Sequence, residues 1–589
     1  MIRNRGLLWV LHITYCVVRG PVEYLTARQV PTPVHALCTT QQHHPREPIA
    51  GLLKRFERAV IVATITLFII LLATQHKDAL AYAPAWQTVP QPQPAYGATA
   101  VVGQALEACD TEKTLETARV LAPTDDWQKI IFEDAHAGDV FLLRGGVYQA
   151  TVQLRGPEGQ PGQPVTIKPY DCEAVTMRGS FRPRSYTVFA GLRLEGTGVP
   201  DTKWVVRVDG KNMGPLRTIV FRNNTILGGD VDAFRISDDA VDVLLLGNHI
   251  DGGGNGHNIF VTSEDRQKLP DQIVVTNNLL TKTYFDTASE DMFQVRDVAR
   301  VEFSHNTCRD GHRMEQCVDI KSTITPVVVR YNLFEGDTLH VGGPGEDAAN
   351  GCMVIHETDN DPNSHRIEYN FFRNCRGEAI RFAQGDGDEM SSGIVRHNIF
   401  ISQGVSEEDG AIPIWQARNV RFINNTVIRG YLKLGDSTHS KTPTNTVIKN
   451  NIFYQTTIED NTAPPAYTYE CSHNLLFATG GNGFEHAPCA NTIVGEPQFV
   501  EINSDLRLLP GSPGVSAGDD GLDVGANFCV GDFPPAADPP GGTQPPDSNV
   551  EPPAGVFPDV DEAFPNLLFL PLVNNQVDGV YSGLACGTP

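Results

Sequence analysis

The sequence predicts an all-β chain wound into a parallel β-helix, a solenoid of about ten or more rungs. The first observation behind this is a tripeptide, Asn-x-(Ile, Leu, Val, Phe or Cys). It recurs ten times, with asparagines at 224, 248, 278, 306, 332, 370, 398, 425, 451 and 474. A period in the twenties that tolerates insertions is the mark of stacked repeats. The second is the segments that precede these asparagines, such as TIVFRNNTI, QIVVTNNLL, RVEFSHNTC and GIVRHNIF. They are rich in β-branched and aromatic residues of alternating polarity, which is a strand pattern. The third is a further short apolar strand upstream in each period, including VVRVD, AFRIS, NIFVT, MFQVR, VDIKS and MVIHE. Helical repeats would need a 3.6-residue pattern between the asparagines, and none is present. The asparagines themselves read as a structural ladder, each amide bonding neighbouring rungs and local backbone in a bend that water cannot reach.

At the amino end, Lys54, Arg55 and Arg58 precede an apolar run from Ala59 to Ala73, and Ala81-Tyr82-Ala83 follows. This is the layout of a secretory signal, with an uncleaved anchor as the alternative, so residues 1–83 are expected to be an extension plus signal and the protein to be secreted or on the cell surface. Cleavage after Ala83 leaves ten cysteines and no CxxC pair, which favours disulfides, with Cys471–Cys489 as the expected local pair. Residues 101–529 form the expected β-helix domain. Residues 530–562 are a Pro/Gly/Asp-rich stiff linker, and 563–589 a tail holding one strand-like patch. The net charge of −24 argues against nucleic acid and anionic membrane as partners. Binding an acidic polysaccharide would need a local basic patch or a metal. The expected state is a monomer with no membrane insertion of the mature domain.

The entry AGDVFLLRGGVYQATVQLRGPEGQPGQPVTIKPY, residues 137–170, resembles the amino-terminal rungs of right-handed β-helix polysaccharide lyases, and residues 497–528 resemble their terminal turn. The resemblance covers about 430 residues and implies a right-handed coil. RMEQCVDIKSTITPVVVRYNLF, residues 313–334, is similar to a rung of the lyase family that contains chondroitinase B and many alginate lyases. By that resemblance Lys321 matches the catalytic base, Glu315 a calcium ligand, and Arg381 the assisting arginine. The chain departs from the pattern in three places: Glu315 to Lys321 is one residue longer, Arg313 stands near the place of a second glutamate, and Arg381 lies two rungs beyond Lys321 rather than one.

The upstream strands can also be stacked without any family, on the apolar pairs Phe234/Ile236, Ile259/Val261, Phe293/Val295, Val318/Ile320, Met353/Ile355, Ile380/Phe382 and Ile412/Ile414. The next residue in each gives a column, Ser237, Thr262, Arg296, Lys321, His356, Ala383 and Trp415. With rungs about 4.8 Å apart, Arg296, Lys321 and His356 fall within roughly 10 Å on one face. The position between each pair gives Arg235, Phe260, Gln294, Asp319, Val354, Arg381 and Pro413. Glu290, Glu315 and Asn350 stack three residues earlier and offer oxygen ligands suited to calcium.

These groups suggest β-elimination at a uronate. Calcium would offset charge at the carboxylate, Lys321 would be the base with its pKa lowered by Arg296 and His356, and Arg381 or His356 would stabilise the enediolate or protonate the leaving oxygen. Arg235, Asp319 and Trp415 are candidate substrate contacts, Trp415 as a stacking surface for a sugar. Two other readings stay open: a glycoside hydrolase using Asp319 with Glu315 or Glu290, and a non-catalytic glycan-binding surface protein. In the plainest reading Lys321 and Arg296 only pair with Asp319, Asp297 or Glu315 on a solvated face. The acidic clusters Asp238-Asp239, Asp359 to Asp361 and Asp386/Asp388 read as turn residues.

Overall fold

The computed structural model describes residues 118–529, apart from the segments 197–202, 212–213, 266, 284–289, 324–325, 337–338, 342–350, 357–364, 383–391, 403–409, 416, 436–443, 463–467 and 486–488. The expected signal, linker and tail lie outside the described residues. Among the described residues, no helix is long and apolar enough to cross a membrane.

Among the described residues, three parallel sheets of 14, 15 and 13 strands run along the coil. One turn shows the plan: Leu216–Arg222 lies in sheet 1, Thr225–Gly228 in sheet 2 and Asp232–Ser237 in sheet 3, after which Ala240–Leu246 returns to sheet 1. The register in sheet 3 is the one read from the sequence. Phe234 pairs with Ile259, Ile259 with Phe293, Phe293 with Val318 and Val318 with Met353, while Phe382 pairs with Ile414. These apolar residues point inward and are fully buried. Aromatic rings of the core stack from rung to rung, Phe334 on Phe372 at 4.5 Å and Phe372 on Phe400 at 4.7 Å. Each such ring contributes on the order of 2–3 kcal/mol of burial.

The corner from sheet 1 to sheet 2 explains the asparagines. The residue before each ladder asparagine holds a left-handed backbone, for example Asn223 (φ 54°), Gly247 (65°), His305 (55°), Tyr331 (55°) and His397 (53°). That bend aims the following asparagine inward. Each side-chain Nδ2 then donates to the Oδ1 of the next rung's asparagine, in an unbroken series from Asn224 to Asn474. The same Oδ1 accepts the backbone N–H below it, as Asn248 does from Asn224 at 3.0 Å. A left-handed backbone disfavours Tyr331 and Tyr369 by about 1–2 kcal/mol. Ring stacking along the corner offsets it: His305 on Tyr331 at 5.0 Å, Tyr331 on Tyr369 at 5.2 Å, and Tyr369 on His397 at 4.9 Å.

The two ends are closed differently. A one-and-a-half-turn helix, Trp127–Phe132, covers the amino end with Trp127, Ile131 and Phe132 buried, and Trp127 meets the Tyr148 ring at 5.6 Å. A helix this short is under two turns and leaves no periodic signal in a sequence. Residues 137–170 form the opening strands Val140–Leu143, Gly146–Gln149 and Val165–Pro169. At the other end, residues 497–528 are not a further rung. Phe499–Glu501 and Asp505–Leu508 make an antiparallel hairpin, and the segment folds back over the outer face of sheet 2. There Leu506 and Ala526 cover Phe371, Ile399, Ile401 and Ile428. The expected Cys471–Cys489 bond is present, together with Cys308–Cys317 and Cys352–Cys375, and Cys172 and Cys529 are also disulfide-bonded.

Candidate functional site

The outward side of sheet 3 gathers most of the charged groups singled out in the sequence. Arg296 ends the strand Phe293–Arg296 and pairs with Lys321, which ends Val318–Lys321. His356 follows Met353–Ile355, and its backbone N–H donates to the Ile320 carbonyl. Arg296 is 56 % exposed and reaches Asp297 at 3.8 Å. Lys321 is 29 % exposed, with Nζ 2.7 Å from Asp319 Oδ2, and His356 Nε2 lies 3.6 Å from the other oxygen of the same carboxylate.

Asp319, expected among the substrate contacts, is fully buried and forms the floor beneath Lys321 and His356. It hydrogen-bonds to the carboxyl of Asp291, another fully buried residue. Gln294 Nε2 donates to both carboxylates, at 2.8 and 3.2 Å. The Gln316 backbone N–H donates to Asp291 at 3.1 Å. Burial, reinforced by Asp319, pushes the Asp291 carboxyl up to about 7, and burial raises Asp319 as well.

This floor overturns the expected lowering of Lys321. Burial on its own would lower the ammonium, but contact with Asp319 and the charges of Asp291 and Glu315 outweigh it and hold Lys321 above the usual lysine range. Lys321 is therefore a firm cation at neutral pH.

The other expected residues are dispersed. Arg381 pairs with Val354 in the Asp319 column, and its Nε lies 3.1 Å from Glu378. Arg235 is held by Asp232 at 3.1 Å and Glu264 at 3.7 Å and lies over the Phe260 ring at 4.9 Å. Trp415 is half-buried, with the Lys433 ammonium over its ring at 5.0 Å, so that cation already occupies a face offered to a sugar. Asn350 and Ala383 lie outside the described residues.

Two features were missed from sequence. The column holding Arg235 extends back through Arg207, with which it pairs, to Arg182 and Arg155, which pair with each other. Arg155, Arg182, Arg207 and Arg235 thus rise through four successive rungs on an acidic protein. Burial and the neighbouring Arg207 and Arg155 depress Arg182, a sign of crowded like charge. Extending the stack to the VVRVD strand would have found Arg207; Arg182 and Arg155 end two-residue strands too short to show a pattern. The second feature is a donor set in which His257, Glu290 and Asp291 each place a ligand atom within 4.8 Å of the others. Glu290 and Glu315 do occupy equivalent positions in adjacent rungs, but the imidazole brought to Glu290 is not a calcium ligand. This imidazole-containing set does not suit calcium.

The outward face of a parallel β-helix, with a cationic row above a buried carboxyl pair, defines the class of site. No family model matches the chain, and no curated protein matches it. Among solved structures it is similar to the PL6 family alginate lyase AlyGC (12% identity, TM-score 0.45, covering 72% of this chain and 59% of that chain). It is also similar to the pectate lyase Pel9A (12%, TM-score 0.36, 69% and 95%) and the GH136 lacto-N-biosidase from Eubacterium ramulus (12%, TM-score 0.39, 62% and 68%). The chain spans 59% of the length of AlyGC.

Proposed function

We propose that this is a secreted carbohydrate-active protein whose third sheet binds a linear acidic polysaccharide and cleaves it beside a uronate by β-elimination. The observation that supports this best is the basic track, Arg155, Arg182, Arg207 and Arg235 in successive rungs leading towards Arg296 and Lys321, on a chain of net charge −24. Solubility does not require such a track, whereas a polyanion with regularly spaced carboxylates does. Lys321 and Arg296 neutralise the uronate carboxylate and the enediolate formed from it. With Lys321 held protonated, His356 is the group suited to take the proton α to the carboxylate. The bond to the 4-oxygen then breaks, a carbon–carbon double bond forms, and His356 returns the proton to the leaving oxygen. A hydrolase reading is less well supported, because Asp319 is fully buried and engaged by Lys321.

Incubation with alginate, pectate and chondroitin, followed by the ultraviolet absorbance of unsaturated uronate, tests the reading. Absorbance should grow with at least one polymer, and Lys321→Gln should lower kcat about 100-fold or more. New reducing ends without absorbance would show a hydrolase. Binding with neither signal would show a non-catalytic glycan-binding protein.

A further inference from the structure

The donor set shares Asp291 with the carboxyl pair but has a chemistry of its own. His257 is buried, 7 % exposed, and stacks on the Phe260 ring at 4.4 Å. Its Nδ1 lies 2.9 Å from Asp232 Oδ1, and the same oxygen accepts the His257 backbone N–H at 3.1 Å. The other oxygen of this carboxylate, Asp232 Oδ2, is engaged as well. Trp204 Nε1 and Arg235 also donate to it, both at 3.1 Å. A carboxylate accepting from Nδ1–H fixes the tautomer and leaves the Nε2 lone pair free. That Nε2 has no hydrogen-bond partner and faces Asp291 Oδ2 at 4.0 Å.

Lys282 holds the two ligand-bearing segments together. Its buried Nζ donates to the carbonyl of Gly256, next to His257, and to those of Glu290 and Asp291, at 3.1 and 3.3 Å. The ligands are thereby positioned by backbone contacts that do not depend on an ion.

We propose that His257, Glu290 and Asp291 form a site for a first-row transition-metal ion of the zinc or manganese class. One imidazole with two carboxylates matches the preference of these ions, and the Asp232–His257 pair supplies the outer hydrogen bond that metal-binding histidines make. Bonds near 2.1 Å require donors about 3.0–3.4 Å apart, so closing the 4.0 Å gap takes a shift of under about 1 Å. The bound ion lies one carboxyl, Asp291, away from Asp319, and so adjoins the cationic row without belonging to it.

The test uses the untagged full chain stripped with chelator, then titrated calorimetrically with zinc, manganese and calcium chlorides, with the melting temperature followed in parallel. One zinc or manganese ion per chain should bind at micromolar Kd or tighter and raise the melting temperature, with calcium at least 100-fold weaker at the same site. Glu290→Gln, at the edge of the site, should keep the fold and weaken binding at least tenfold. His257→Ala should abolish this site, and Asp232→Asn should weaken it 10- to 100-fold. Calcium binding preferred over both metals, no ion bound below millimolar concentration, or binding unchanged in Glu290→Gln and a folded His257→Ala would each overturn the proposal.

Discussion

Replacing Asn332 by alanine probes the ladder at its middle. The Asn332 Oδ1 accepts from the Asn306 backbone N–H at 2.8 Å and from its Nδ2 at 3.2 Å. Its Nδ2 donates to the Phe303 carbonyl and to Asn370 Oδ1, both at 2.9 Å. The substitution removes all four, but the neighbours are not equally harmed. Asn306 Nδ2 keeps the Val275 carbonyl and Asn370 Oδ1 keeps the Asn332 backbone N–H, while the Asn306 N–H loses its acceptor. A stranded buried donor costs about 1–3 kcal/mol and each of the three other lost bonds about 1, giving a destabilisation of about 4–6 kcal/mol. Urea unfolding followed by circular dichroism measures it. Asn461→Ala, an exposed asparagine that bonds Glu459 at 3.3 Å, should stay within about 0.5 kcal/mol of the parent. Asn332→Asp should be worse than alanine at neutral pH, because it buries a charge and sets a carboxylate oxygen against two acceptors, the Phe303 carbonyl and Asn370 Oδ1. If Asn332→Ala matches Asn461→Ala, the ladder contributes nothing to stability and the account of the asparagines is wrong.

Burial and Arg396 push His397 down to about 4, so its neutral form is favoured in the fold. The stability this represents is present above the unfolded value near 6.5 and is lost as pH falls towards 4, by at most about 3 kcal/mol. Tyrosine already holds the same left-handed corner at Tyr331 and Tyr369, so His397→Tyr should leave stability at pH 8 nearly unchanged and flatten the acid limb of a melting-temperature profile; an unchanged acid limb would contradict the assignment. On the basic track, Arg182→Ala should weaken polyanion binding about 5- to 30-fold at low salt and reduce the salt dependence, with kcat largely kept. Equal affinity and salt slope would remove the track from the binding face.

The fold was legible because the asparagine corner sets the phase of every turn. Once each turn is bounded by its asparagines, the apolar pair Phe293/Val295 can be matched to Val318/Ile320, and Arg296 then meets Lys321. The charge state of Lys321 was not legible in the same way. It is set first by Asp319, which the sequence already offered as a partner, and then by Asp291, which stands just before its strand, where the two-residue alternation has not begun and the period says nothing of direction. His257 escaped for the same reason: the loop between sheets 2 and 3 varies in length, so no column predicts that Gly256–Asn258 swings towards Asp291. The carboxy-terminal hairpin was hidden too, since Leu506 and Leu508 alternate as any strand does and only the apolar outer face at Ile399 and Ile401 shows where they settle.

That hairpin changes how the molecule comes apart. In a bare solenoid each coil touches only its neighbours, and the last can peel away without disturbing the rest. Here the Ala526 backbone N–H donates to Thr426 Oγ1 across 100 residues, and the Gly525 N–H donates to the Asn450 carbonyl. The segment 497–528 is thus a buckle fastened several coils back. Fraying from that end cannot begin until the buckle releases, and its release bares Phe371, Ile399, Ile401 and Ile428 together, an adhesive strip that would make the opened molecule prone to aggregate.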